Sequence, residues 1–136
     1  MQLDGLGSPG DHVVCDDAEG VGSDFPIVIE GDLVGCLYQF WGPGEFRPSA
    51  TYYETGIEIF VGCLADGETC GTFETTYAFT GKYADTDFND QKFGRCQHPI
   101  IEGTGTGDFA GATGRLDFKD DVEAGNFPLR GHIKLP

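Results

Sequence analysis

Gly103-Thr104-Gly105-Thr106-Gly107-Asp108-Phe109-Ala110-Gly111-Ala112-Thr113-Gly114-Arg115-Leu116-Asp117-Phe118 is the stretch on which the fold turns. It begins as a glycine-punctuated corner and ends in a run where polar and apolar residues alternate. A second such run, Leu129 to Leu135, follows one polar turn. Within the corner, Gly105 to Ala110 formally matches the dinucleotide fingerprint G-x-G-x-x-A. That fingerprint requires a strand before it, a helix after it and a βαβ unit around it. Here alternation of period two follows instead, too little chain remains for a crossover helix, and Asp108 would repel a pyrophosphate. The glycines are therefore read as serving a tight β corner, where positive φ or close backbone approach is needed.

Upstream of the corner the same period recurs. Residues 1–24 are rich in Gly, Asp and Ser and read as a loose acidic arm, leaving 25–136 as one β domain. Phe25 to Ile29 is a short apolar strand. Leu33 to Trp41 is apolar on both faces, with Leu33, Leu37 and Trp41 on one and Val34, Cys36, Tyr38 and Phe40 on the other. Thr51 to Leu64 sets Tyr53, Thr55, Ile57, Ile59, Val61 and Cys63 against Tyr52, Glu54, Gly56, Glu58 and Phe60. Gly71 to Tyr83 sets Phe73, Thr75, Tyr77 and Phe79 against Thr72, Glu74, Thr76 and Ala78. The more apolar faces are expected to meet inside. Gly94 to Glu102 is a further strand, which Pro99 pushes towards an edge or a bulge. Short alternating runs, Gly-rich turns and no helical period predict an all-β fold, either a closed antiparallel barrel or a sandwich.

The 136 residues carry 22 Gly and a formal charge of −15 from 23 acidic and eight basic side chains. Such a balance excludes a phosphate-backbone partner, so no nucleic acid is expected. No apolar run reaches the roughly 18 residues of a membrane span. Five cysteines point to an oxidising compartment, extracellular or periplasmic, with the cytoplasm left open. The first residues lack the basic-then-apolar order of a secretory leader. Cys63 and Cys70 flank a polar turn and are expected to bridge a hairpin. Among Cys15, Cys36 and Cys96 any two could pair. The loop of Asp85, Asp87, Asn89 and Asp90 departs from the EF-hand template, having Asp90 at its sixth position and Cys96 at its twelfth. Without C-x-x-C or H-x-H spacing elsewhere, no metal or cofactor is expected.

The corner Gly105 to Gly114 resembles the signature that closes the allene oxide cyclase and dirigent barrels. Phe73-Glu74-Thr75-Thr76-Tyr77-Ala78-Phe79 is similar to a strand of the cyclases. The likeness covers roughly Thr72 to Leu135. It implies a single calycin-like barrel and a cofactor-free cyclase or isomerase that folds a hydrophobic small molecule in its cavity. The alternative is a non-catalytic secreted barrel that binds an apolar ligand or assembles with partners.

For either function the chemistry rests on few residues. Glu54 and Glu58 share a face, and the simpler reading turns both to solvent. If that face lines a cavity, Glu54 becomes the candidate acid or base. Tyr38, Trp41, Tyr52, Tyr53, Tyr77 and Phe79 are the candidate substrate-binding aromatics. His98, before Pro99, reads as an edge-strand residue, and His132 as a surface one. The strip on Leu33 to Trp41 needs cover. A homo-oligomer, dimer or trimer, would supply it; so would an arm folded back through Cys15–Cys36.

Overall fold

The computed structural model describes residues 1–10, 15 and 22–136, and among them there is no helix. Nine strands run in chain order: β1 (Gln2–Pro9), β2 (Phe25–Gly31), β3 (Leu33–Phe46), β4 (Thr51–Leu64), β5 (Cys70–Lys82), β6 (Phe93–Pro99), β7 (Thr106–Gly107), β8 (Thr113–Lys119) and β9 (Phe127–Lys134). Neighbours pair in the order β4-β3-β2-β1-β9-β8-β6-β5, and β4 pairs again with β5. All of these pairings are antiparallel. The chain is thus a single closed eight-stranded antiparallel barrel, not a sandwich, with the two-residue β7 added along β5.

Closure corrects two expectations. The acidic arm does not begin at residue 1, because β1 is the stave that joins β2 to β9. Gly5 and Gly7 occupy the inward positions where alternation would have shown, so the strand is nearly invisible in sequence. A Cβ on Gly7 would lie 3.1 Å from the Phe118 ring and 3.2 Å from Ile27. The rest of the expected arm, residues 11–14 and 16–21, lies outside the described residues. The second correction concerns β6, which is no edge. It pairs with β5 on one side and β8 on the other, and Pro99 sits at its last position.

One end of the barrel is solid. Phe60 and Phe73 stack with centroids 5.0 Å apart, and Phe109 meets them edge-on at 6.1 and 5.4 Å. Phe109 is delivered by the glycine corner, where Gly103, Gly107 and Gly111 adopt positive φ. Leu3, Ile29, Leu33, Leu37, Leu116 and Ile133 complete this apolar plug. Burying side chains of this size contributes about 1.5–3 kcal/mol each against leaving them exposed.

The faces of β4 are the reverse of the expectation. Glu58 and Phe60 are fully buried, whereas Ile57 and Val61 are 45% and 40% exposed. Register is the cause. Leu37 and Phe73 both pair with Phe60, and Leu33 pairs with Leu64, so packing of the neighbouring strands turns the glutamate face inward.

Cys63–Cys70 bridges the β4–β5 hairpin as the spacing implies. Cys15–Cys36 ties residue 15 to β3, and Cys96 is a free, buried thiol. Two bridges are compatible with an oxidising compartment. Replacing both Cys63 and Cys70 with Ser should cost about 2–3 kcal/mol, as expected for a loop of this length, read as a lower denaturation midpoint. A thiol reagent should find one thiol per chain after unfolding without reductant, and none while the barrel is folded.

Candidate functional site

The other end of the barrel is a cup. Beyond Leu37 and Phe60 the interior opens into a cavity of about 500 Å³, within the usual range for small-molecule sites. An eight-stranded barrel is just wide enough for one small ligand where its side chains leave room. Gly56 on β4 makes room for the Tyr77 ring of the wall, since a Cβ there would lie 2.4 Å from that ring. Phe25, Phe79, Phe118 and Phe127 form much of the wall. At the mouth, Phe88 sits edge-on to Phe46, Tyr52 and Tyr83 at 4.7, 4.8 and 5.5 Å. Phe88 holds a left-handed φ of 63° that L-residues rarely adopt, and it is 56% exposed.

Polar groups stand in two sets on this apolar wall. Higher up, Glu54 accepts hydrogen bonds from two phenols, Tyr52 at 2.7 Å on Oε1 and Tyr77 on Oε2. Burial and then the bond to Glu54 push the Tyr52 phenol up to about 12, and the same causes push Tyr77 higher still. Both phenols therefore keep their protons at neutral pH. Asp120 is also raised by burial, opposed by a 2.6 Å bond from Gln91 Nε2.

Deeper, against the plug, Glu58 and His98 are both almost completely buried and meet through Oε1 and Nδ1. Gln39 Nε2 donates to the other Glu58 oxygen at 3.0 Å, and Trp41 Nε1 donates to Gln39 Oε1 at 2.9 Å. The relay runs from the mouth to the floor. The His98 ring is clamped between Tyr77, stacked at 5.9 Å, and Phe118, edge-on at 4.9 Å. Cys96 lines the cavity as well, and burial pushes its thiol far up, so it is no ready nucleophile.

Of the sequence-derived candidates, Glu54, Trp41, Tyr52, Tyr77 and Phe79 converge on this cavity. Tyr53 does not. It faces outward, with the Arg47 guanidinium 5.3 Å above its ring. Tyr38 is buried without lining the cavity, because it alternates with Leu37 on the outward face of β3. Sequence reasoning passed over Gln39, Glu58 and His98 as a set. The available signal was Cys96-x-His98-x-Ile100, a period-two run whose flanking members are core residues. Among the described residues, no cluster of His, Cys, Asp and Glu could hold a metal ion, and no helix is long and apolar enough to cross a membrane. Compared with known proteins, the chain matches no family model, and no curated protein or solved structure is significantly similar to it.

Phenol titration tests the upper set. In the unfolded chain these groups ionise near 10. Since folding raises them, their contribution to stability is complete below pH 10 and is lost as pH rises through 12 and beyond. At pH 11, absorbance at 295 nm should accordingly report fewer tyrosinates in the folded protein than in denaturant, where about nine-tenths of the five are ionised.

Proposed function

We propose that the barrel is a cofactor-independent cyclase or isomerase that folds a hydrophobic small molecule inside its cavity. The observation that carries this reading is Glu54, a carboxylate set among protonated phenols on a largely aromatic wall. A solid apolar interior would have supported a structural role instead. Aromatic walls can hold a flexible substrate in its reactive, folded conformation. In a site with little water, the Glu54 carboxylate stabilises positive charge developing nearby, and the Tyr52 and Tyr77 hydroxyls set its position. Resemblance to the allene oxide cyclases agrees with a reaction that needs shape and one or two polar groups.

A second reading has its own support. Both Glu54 oxygens already accept a phenol hydrogen bond, so the carboxylate is satisfied without a ligand. A secreted barrel that binds an apolar molecule without turnover would show this. An allene oxide offered as substrate separates the two. The enzyme reading expects wild type to speed its cyclisation and yield one enantiomer in excess, and expects Glu54→Gln to slow it at least about tenfold with Nile red binding unchanged. Nile red binding with no acceleration by wild type would establish the second reading.

Self-assembly belongs to the same proposal. Val34, Ile57 and Val61 are exposed on the outer face of β3 and β4, beside a groove of about 640 Å³ lined by Phe40, Pro43, Ala78 and Pro99. Light scattering at micromolar concentration should give a dimer or trimer, and Ile57→Lys should give the monomer. A wild-type monomer would reject assembly.

A further inference from the structure

The buried pair at the cavity floor goes beyond the wall carboxylate. His98 is 2% exposed and lines the cavity, and its Nδ1 is taken by Glu58. Its Nε2 has no hydrogen-bond partner among the described residues. A buried polar atom left unmatched is costly, and native proteins hold few of them. Here every neighbour is arranged to keep it so. Glu58 is itself anchored by Gln39, and the ring is clamped by Tyr77 and Phe118, so rotation to seek another partner is blocked. The carboxylate on Nδ1 also keeps a proton there whether or not the imidazole is charged. Nε2 is thus the nitrogen left without a protein partner among the described residues.

We propose that the floor of the cavity is a hydroxyl-binding subsite, with His98 Nε2 as the anchor and Glu58 as the residue that positions it. The ligand is then an apolar body, aromatic or alicyclic, with an alcohol or phenol at its buried end. A hydroxyl both donates and accepts, so it satisfies Nε2 in either protonation state. Ether, ester or purely hydrocarbon ends cannot do both. The apolar body contacts Phe79, Phe118 and Phe127, and the hydroxyl is directed to His98 Nε2, a buried atom with no hydrogen-bond partner among the described residues. The inference rests on the cavity being the ligand site, and it holds whether or not turnover follows.

Two probes of one shape, 2-naphthol and 2-methylnaphthalene, make the test, with binding followed by calorimetry on the intact protein. Wild type should prefer the naphthol by about tenfold, the worth of one good hydrogen bond to a buried partner. His98→Phe should bind both probes equally, keeping the affinity for 2-methylnaphthalene. In wild type labelled with ¹⁵N at histidine, the Nε2 resonance of His98 should move on adding 2-naphthol and stay in place with 2-methylnaphthalene. This readout decides the matter alone if the variant fails to fold. Equal affinities in wild type, or an unmoved Nε2 resonance with naphthol bound, would overturn the subsite and leave the cavity reading intact. Failure of both probes to bind would overturn the cavity as a ligand site, and the subsite with it.

Discussion

Closure of the sheet is the constraint from which the rest follows. Once β1 joins β2 to β9 and β4 joins β5, no strand of the ring has a free edge, and each must send alternate side chains into a space of fixed width. Phe60, Phe73 and Phe109 fill that space at one end. At the other, the inward residues of β4 are Tyr52, Gly56 and two glutamates, and the volume is shared between aromatic rings and a cavity. Plug and cup are thus two halves of one register. Sliding β4 by a single residue would place Ile57, Ile59 and Val61 inside and abolish the cup.

Stability alone does not explain what the register buries. Replacing a buried ion pair with apolar groups of similar volume is often neutral or stabilising, whereas removing one partner costs about 3–5 kcal/mol. Glu58 and His98 therefore hold each other in place without making the barrel more stable than leucines would. Their partners add order instead. Gln39 and Trp41 extend the pair to the mouth, and two aromatic rings fix the imidazole. A rigid polar network of this kind specifies one arrangement of the side chains around it.

Much of the fold was legible because strands announce themselves by period. The corner at Gly103 to Gly114, the alternation in β4 and β5 and the Cys63–Cys70 hairpin all follow from local rules. What escaped was non-local. β1 shows little alternation because two of its inward places are Gly5 and Gly7, and Gly7 makes room for Phe118 and Ile27. β4 offers two plausible faces, and hydrophobicity alone selects the wrong one. The decision belongs to Leu33, Leu37 and Phe73 on neighbouring strands, which no window of β4 contains. Glu54 and four of the candidate aromatics line the cavity because their positions on β3, β4 and β5 lie towards its open end. His98 was missed because Pro99 suggested an edge, and in a closed barrel the strand end on which it sits has a neighbour on both sides.

The electrostatics of the cup narrow what it can hold. Glu54, Asp120 and the Glu58–His98 pair stand in or against the cavity, and neither Lys nor Arg is among its described lining residues. Their hydrogen-bonding partners are neutral phenols and amides apart from His98. Neutral donors satisfy a carboxylate's lone pairs without cancelling its field, and a low-dielectric wall screens that field poorly. A chain of net charge −15 adds to it from outside. An anionic group would therefore be repelled from the depth of the cup, and a ligand that carries one must leave it at the mouth, near Trp41 and Phe88, with its neutral end inward. In that orientation the end facing the proposed subsite at His98 would be a hydroxyl and not a carboxylate.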